Sequence, residues 1–426
     1  MLAGAAEPFY LVLSEPSWIF LAGLGIFLFR PPDLDLFHLD RIAFGLLIFV
    51  GLMRIFLLKE KLPWIRSVSL PMAGLLLLSL YSALAQPFDA QTWSLLAAKF
   101  LVPFTLFHLA CLIFNDPYSL RRFEIFCLIV LGYLAFVSIA SLLGAAWLIY
   151  PKYILDEGLG IHADRARGPF LQAVANGVSL NLLGLLAVDC WRRGRLRGVR
   201  ALLLAAVPLA ILATMTRAVW LSFAASIAAL LFLTRSSRVR RACAGLAIAA
   251  SVGTVFALSM AGCRTALEDR LQERSPVEFR ISIYQVGWEM ALEKPWLGWG
   301  QNQMPAEIAQ RMSDYRPDTY CAHNTFLEIL VEQGFVGFIL YAWMIFGLFR
   351  LARHSPGNSG PEKWDSDSRR TWLVLLGVYL LNASFVVLNY QFVNALFFTI
   401  AGILASQQKC SPHKTDVTQC PDREPL

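Results

Sequence analysis

The chain has 426 residues, of which 57% are hydrophobic and 16% are charged, and its mean hydropathy is +0.55. A water-soluble domain of this size carries fewer apolar and more charged residues. The formal net charge of +7 is spread over short basic segments between apolar runs. This distribution excludes the single basic patch of a nucleic-acid-binding protein and is typical of membrane topology.

Apolar runs long enough to cross the hydrocarbon core of a bilayer, about 30 Å, recur along the whole chain. They predict an all-α, polytopic membrane protein with about twelve transmembrane helices. The first run has neither a basic leading region nor a convincing small-residue cleavage site, so we predict a span there and no cleavable signal. The predicted spans are 9–29, 42–58, 68–85, 95–114, 125–149, 170–190, 199–215, 218–234, 242–260, 325–349, 371–388 and 390–406.

The positions of lysine and arginine predict the orientation of these spans. With twelve spans and both termini in the cytoplasm, the compact basic connections share the cytoplasmic side: Lys59–Arg66, Arg121–Arg122, Arg192–Arg200, Arg235–Arg241 and Arg350–Arg370. The other connections, 30–41, 86–94, 150–169, 214–217 and 261–324, then face the periplasm of a bacterial cell. We therefore predict a multi-pass protein of the bacterial inner membrane.

One predicted turn matters for chemistry. Residues 199–234 are apolar almost throughout, and as one helix they would be about 54 Å long, too long for a single crossing. Both flanks are basic, so both belong on the cytoplasmic side. The chain must turn back at Thr214–Arg217, which places Arg217 at the periplasmic surface.

The segment 261–324, between the ninth and tenth spans, is the only large region outside the predicted spans. Its part 278–292 has apolar residues at helical spacing, which predicts a helix at the membrane interface. These residues are Phe279, Ile283, Val286 and Met290. Together with this segment, residues 1–408 form one integral membrane domain, while the polar 409–426 is predicted to be a disordered cytoplasmic tail.

Two of the eight cysteines, Cys263 and Cys321, lie in the large periplasmic segment, one near each end. We predict a disulfide between them that closes this segment next to His323, because disulfides persist in oxidising compartments. The alternative is a pair of free thiols, since the sequence gives no distance between them.

His323 lies where the polar segment meets a long apolar run, and Asn324 and Thr325 are alternative N-caps of the helix that starts there. The positive end of that helix would keep His323 neutral and able to accept a proton, and it would attract a phosphate group. Gly334 and Gly337 are expected to permit close helix packing. The alternative is an interfacial polar residue without a chemical role.

Four arginines are predicted on the same side as His323: Arg165, Arg167, Arg217 and Arg280. Arg217 opens a span, where the helix dipole disfavours a cation, so either an anion compensates it or the side chain extends to the interface. Guanidinium groups match phosphate oxygens. Convergence of these arginines at His323 would therefore make a site for a multivalent anion, whereas each alone is a solvated charge.

Other chemistry has little support in the sequence. Asp33 and Asp35 have the spacing that can hold a divalent metal, but acidic loop residues are common. The remaining histidines lack zinc-like spacing. No nucleotide-binding glycine loop and no nucleophilic serine elbow is present. We therefore predict no metal and no cofactor.

Four segments resemble a known family. The segment 323–337, which reads His-Asn, nine residues, Gly, two residues and Gly, resembles the signature of bacterial O-antigen ligases, and 217–221 resembles their Arg-x-x-x-Leu signature. Arg280 with Pro-x-x-Gly-x-Gly at 295–300, and Arg-Gly-Pro-Phe at 167–170 leading to an asparagine at 176, are similar to the wider ligase and polymerase superfamily. The resemblance covers about the whole membrane body.

The resemblance implies a metal-independent, inverting glycosyltransferase. Such an enzyme transfers O-antigen polysaccharide from undecaprenyl pyrophosphate to a sugar hydroxyl of lipid A–core at the periplasmic face. It implies that His323 is the general base, that Arg167, Arg217 and Arg280 contact the donor diphosphate, and that Arg165 and Asn324 assist. The alternatives left open are an O-antigen polymerase, a protein O-oligosaccharyltransferase and, in a different class, a transporter of lipid-linked glycan.

Overall fold

The computed structural model describes residues 15–30, 39–194, 197–259, 265, 275–313, 323–353 and 365–409. Within these ranges all regular secondary structure is helical, which confirms the predicted all-α class. The helices are α1 Pro16–Leu28, α2 Leu39–Leu57, α3 Arg66–Leu84, α4 Ala90–Ile113, α5 Pro117–Leu142, α6 Ala173–Arg192, α7 Arg197–Ala213, α8 Arg217–Leu233, α9 Ser237–Ser259, α10 Ser275–Glu293, α11 Met304–Arg311, α12 Thr325–Leu351, α13 Ser366–Ala383 and α14 Gln391–Lys409.

Each predicted span overlaps one of these helices. In the hydrocarbon core of a bilayer the backbone N–H and C=O groups find no water, so an apolar run forms a helix that satisfies them by its own hydrogen bonds. Among the described residues, six helices are both long and apolar enough to cross a membrane, namely α3, α4, α5, α6, α9 and α12. Shorter apolar helices lie at Pro16–Leu28, Ala201–Ala213, Arg217–Leu233 and Gln391–Gln407. The chain is thus a polytopic helical membrane protein, while the number of twelve spans stays a prediction.

The predicted turn between α7 and α8 is confirmed. α7 ends at Ala213 and α8 begins at Arg217, and Met215 between them has a positive φ of 47°. The indole nitrogen of Trp220 donates to the carbonyl of Ile211 at 3.1 Å, which ties the start of α8 to the end of α7. A stretch too long for one crossing therefore forms two helices, and Arg217 lies at their junction.

Contacts between helix ends sort the connections into two faces. On the face that carries His323, the amide of Ala166 donates to the carbonyl of Ala213 at 3.1 Å. There, too, Asn302 donates to Thr92 Oγ1 at 3.3 Å. Connections 150–169, 214–217 and 86–94 thus share this face with the described residues around Asn302.

The opposite face gathers the basic connections. Arg192 contacts Asp365 at 2.6 Å, and Arg193 contacts Glu124 at 2.7 Å. Arg238 donates to the carbonyl of Arg192 at 3.0 Å. The connections joined by these contacts divide between the two faces as the distribution of basic residues predicts, while the sides of 30–41 and Lys59–Arg66 stay predictions. The assignment of this face to the cytoplasm stays a prediction.

Several predictions fall on residues outside the described ranges. Cys263 and Cys321, with the disulfide predicted between them, lie there, as do Asp33 and Asp35. The predicted tail also lies there, except that Lys409 still belongs to α14.

Candidate active site

α12 begins directly after His323, and Asn324 is its N-cap. The Asn324 side-chain oxygen accepts hydrogen bonds from the amides of Phe326 and Leu327, at 2.9 and 3.1 Å. Thr325, the alternative cap, instead uses its hydroxyl to donate to the carbonyl of Val386 at 2.9 Å. The start of the helix is therefore anchored in two directions, by its own cap and by the connection between α13 and α14.

His323 itself has a φ of 52°, in the left-handed region that a residue with a side chain seldom adopts. The hydroxyl of Tyr284 on α10 donates to the His323 carbonyl at 3.2 Å. This contact holds a backbone conformation that costs roughly 1–2 kcal/mol. Sequence reasoning missed Tyr284, although it lies four residues after Arg280 and hence on the same side of a helix.

α10 carries Arg280 and corresponds to the predicted interfacial helix. The apolar residues that predict this helix pack inside the protein: Ile283 and Met290 are fully buried, against α11 and the first turns of α12. The other side of α10 exposes Ile281, Trp288 and Leu292. Contact between α10 and a membrane surface stays a prediction, and these exposed side chains are the ones available for it.

Burial and, second, the charge of Arg280 lower the pKa of His323 from its ordinary value of 6.5 to about 4. The imidazole is therefore neutral at pH 7 and can accept a proton. The sequence also predicts a neutral His323, but from the helix N-terminus alone. Burial and the guanidinium on α10 are causes that only the structure provides.

Arg217 and Arg280 lie close enough for their charges to repel. Burial, and after it the charge of Arg217, lower the pKa of Arg280, while Tyr284 acts in the opposite direction. The structure thus brings together three predicted site residues, Arg217, Arg280 and His323, from three separate elements. Two guanidinium groups that repel each other are suited to an anion that bridges them.

Arg167 has a different environment. It is only 2% exposed, and its guanidinium donates to the carbonyls of Ile154, Asp156 and Leu159. These contacts fold the connection between α5 and α6 around the side chain. Direct contact between Arg167 and a ligand stays a prediction, and the geometry favours a role in holding the loop.

Arg165 lies in the same loop, with its Nε 3.8 Å from a carboxylate oxygen of Asp164. Its neighbour Ala166 is bonded to Ala213, beside the turn that carries Arg217. Asn176 donates to the Ala166 carbonyl at 2.8 Å, which explains why an asparagine follows the Arg-Gly-Pro-Phe segment. Arg165 is thus held near the turn before α8.

The prediction that Gly334 and Gly337 permit close packing of two helices is wrong for Gly334. Gly334 has φ 64° and ψ −165°, so it interrupts α12. A Cβ there would lie 2.3 Å from the Trp296 carbonyl oxygen. At Gly337, a Cβ would instead meet the side chain of Gln333 in the same helix.

The segment 295–300 crosses α12 at this break. The amides of Trp299 and Gly300 donate to the carbonyls of Val331 and Glu332, each at 2.9 Å. In return, the amide of Phe335 donates to the Pro295 carbonyl at 2.7 Å. The Pro-x-x-Gly-x-Gly segment and the glycine of the His-Asn signature are therefore two sides of one backbone contact.

These features define a polytopic membrane protein in which one face gathers a neutral imidazole and two guanidinium groups. Residues 200–342, about a third of the chain, match the family model described as O-antigen ligase, and this match supports membership in the O-antigen ligase superfamily. Members of this family are glycosyltransferase-like ligases and polymerases. A comparison with curated proteins found no match. The matched segment contains Arg217, Arg280 and His323 but not Arg165 or Arg167.

Proposed function

We propose that the protein is an O-antigen ligase. It transfers O-antigen polysaccharide from undecaprenyl pyrophosphate to a sugar hydroxyl of lipid A–core, at the periplasmic face of the bacterial inner membrane. The observation that carries this proposal is the convergence of Arg217, Arg280 and His323, all within the segment that matches the O-antigen ligase model.

The reaction needs a base and a stabilised leaving group. Neutral His323 takes the proton of the acceptor hydroxyl as its oxygen attacks the anomeric carbon of the donor sugar. The bond from that carbon to the diphosphate oxygen breaks, and the diphosphate leaves with both electrons. Arg217 and Arg280 stabilise the charge that develops on it. Attack opposite the leaving group inverts the anomeric centre.

The donor brings its own activated leaving group, so the proposed reaction needs no nucleotide. In this proposal the guanidinium groups of Arg217 and Arg280 stabilise the departing diphosphate, the role that a metal ion has in other transferases. Asn324 fixes the position of His323 by capping α12. Arg165, held beside the Arg217 turn, is a further contact for the anionic donor, and Arg167 holds the loop that carries Arg165.

A purified-protein assay tests the assignment. The protein is mixed with lipid-linked O-antigen and lipid A–core, and the transferred glycan is measured. His323→Ala is expected to lower the rate by about 10²–10⁴-fold, the usual contribution of a general base. His162→Ala, an exposed histidine in the connection before α6, is the matched control and is expected to keep full activity. Near-normal transfer by His323→Ala would remove the base assignment.

The family match is compatible with a polymerase as well as a ligase, because both break the same bond in the same donor. A deletion strain separates them. Loss of a ligase leaves long chains on undecaprenyl pyrophosphate, whereas loss of a polymerase leaves a single repeat on lipopolysaccharide. Loss of glycan from a glycoprotein would instead indicate a protein O-oligosaccharyltransferase.

A further inference from the structure

A buried cluster of charges lies beside the first turns of α12. Lys99 Nζ is 2.7 Å from Glu328 Oε1 and 3.9 Å from Glu332 Oε2. The three side chains are 9%, 11% and 4% exposed. Charges inside an apolar helical bundle are costly unless they are paired, and they commonly have a functional role. None of these three residues has a role in the proposed reaction.

The break at Gly334 separates the first part of α12 from the rest. We call residues 325–333, which follow His323, the outer half-helix. At Gly334 the backbone leaves the helical conformation, so the longer part alone does not set the direction of the outer half-helix. The outer half-helix therefore needs anchors of its own. Those already described are Tyr284, Asn324 and the bond from Thr325 to Val386 at its start, and segment 295–300 at its end.

Lys99 supplies a further anchor, in the middle of the outer half-helix. It lies in a π-helical turn of α4, Ala97–Leu101, a local widening that is frequent at functional sites. Its two carboxylate partners are four residues apart and so lie on one side of the outer half-helix. Glu332 Oε1 is buried and accepts no hydrogen bond from the described residues, and the ammonium group of Lys99 lies 3.9 Å from the other oxygen of the same carboxyl group, which also interacts with the backbone amide of Asn302.

We propose that Lys99 is a positioning residue: its ammonium group holds Glu328 and Glu332, and thereby fixes the outer half-helix and the His323 that precedes it. Arg217 lies on α8, and Arg280 lies on α10, which packs against α11 as well as against α12. Neither arginine directly adjoins the outer half-helix in the chain, as His323 does. Loss of Lys99 therefore affects the placement of the base more than the binding of the donor. The kinetic part of this inference rests on the proposed function, and the structural part does not.

Two measurements on the full-length protein test the role of Lys99: amide hydrogen exchange of residues 325–333, and steady-state kinetics of glycan transfer. In Lys99→Met, the exchange of these amides is expected to rise about tenfold. Turnover is expected to fall by about tenfold or more, because small misplacements of reacting groups are costly. The KM for the lipid-linked donor is expected to stay within about threefold of the wild-type value.

Two comparisons separate positioning from general stability. Glu124→Gln is the matched control, because Glu124 and Arg193 form an equally buried ion pair at 2.7 Å on the opposite face. It is expected to leave the exchange of 325–333 and the turnover unchanged. Lys99→Arg keeps the charge and is expected to restore most of the turnover. Unchanged exchange in Lys99→Met, equal loss of turnover in Glu124→Gln, or no recovery in Lys99→Arg would each overturn the proposal.

If Lys99→Met does not fold, a triple variant decides the question. Lys99→Met with Glu328→Gln and Glu332→Gln removes all three charges and leaves none unpaired. It is expected to fold but to keep the low turnover and fast exchange, and wild-type values of both would overturn the proposal. If the wild-type protein transfers no glycan, the proposed function fails, while amide exchange still decides the role of Lys99.

Discussion

At the scale of single residues, the site depends on one backbone conformation. His323 has a positive φ, and such conformations persist only where surrounding contacts hold them. Tyr284 bonds the carbonyl of His323, and Asn324 caps the helix that follows. The imidazole is thereby placed beside Arg280, whose charge helps to keep it neutral.

Tyr284→Phe tests the contact that holds this conformation. The variant keeps the ring and removes the hydroxyl, which bonds the His323 carbonyl and interacts with the Asn324 side chain. We expect a decrease of about 0.5–1.5 kcal/mol in the free energy of unfolding, the usual contribution of one such bond. We also expect lower turnover with little change in the donor KM, measured in the transfer assay. Tyr118→Phe, at an exposed tyrosine of α5, is the control. Wild-type turnover in Tyr284→Phe would show that the bond does not position the base.

Arg280→Gln tests the electrostatic link between Arg280 and His323. Removal of a nearby positive charge stabilises the imidazolium form, so the pKa of His323 rises from about 4 toward 6.5. It is expected to stop short of 6.5, because burial is the larger cause. The acid limb of kcat/KM should therefore move to higher pH, and activity should be lost at a higher pH as the medium is acidified.

The measurement is the pH dependence of kcat/KM for wild-type protein and for Arg280→Gln. The substitution leaves in place Tyr284, whose hydroxyl bonds the His323 carbonyl, and Arg217, which lies close to position 280. Arg311→Gln, which removes an arginine paired with Glu293 on the same face, controls for a general change of charge. An acid limb at the same pH in all three proteins would contradict the link.

At the scale of elements, the break in α12 joins two sequence signatures. Gly334 adopts a conformation that is almost confined to glycine, and the backbone of 295–300 occupies the space where a side chain would be. The backbone conformation and the lack of space for a side chain therefore each require glycine at position 334. It sets the direction of the outer half-helix and, through it, the place of His323.

Gly334→Ala is expected to be strongly destabilising. The backbone strain is about 1–3 kcal/mol, and the added Cβ would lie 2.3 Å from the Trp296 carbonyl oxygen, which cannot move without its chain. We expect a lower unfolding temperature and lost transfer activity. Gly377→Ala in α13 is the matched control, because nothing lies within 4 Å of the added methyl group. A helical alanine in place of glycine is favourable by about 1 kcal/mol. Equal stability of the two variants would refute this account of Gly334.

The sequence predicts the helices well and the site only in part. Apolar length and flanking charge are local properties, so they are sufficient to predict the helices and the turn before Arg217. The bonding of Arg167 to loop carbonyls and the contact of Lys99 with Glu328, 229 positions away, depend on which segments meet in space. The spacing of residues along the chain does not show which segments contact each other in the fold. For the same reason, the spacing of Gly334 and Gly337 predicts close helix packing, whereas Gly334 in fact lies against segment 295–300.

At the scale of the whole molecule, the helices differ in how much of their surface is buried inside the protein. Of the apolar 18-residue stretch of each helix, 94% is buried in α6 and only 17% in α9. Since both helices are apolar enough to cross a membrane, α6 is a central helix of the bundle and α9 presents its surface to lipid. The proposed site lies at one end of the bundle and the Arg192–Asp365 network lies at the other. The orientation of the protein in the membrane therefore decides which side of the membrane the proposed site faces.

Labelling of single cysteines in intact cells tests that orientation. In a cysteine-free background, Glu157→Cys places an exposed thiol in the connection before α6, on the His323 face, and Arg240→Cys places one near the start of α9, on the opposite face. Because basic connections stay in the cytoplasm, a membrane-impermeant thiol reagent is expected to label Glu157→Cys in intact cells and Arg240→Cys only after the membrane is permeabilised. The donor and acceptor of the proposed reaction meet outside the inner membrane. Labelling of Arg240→Cys but not Glu157→Cys in intact cells would place His323 in the cytoplasm, and the proposed ligase would have no access to its substrates.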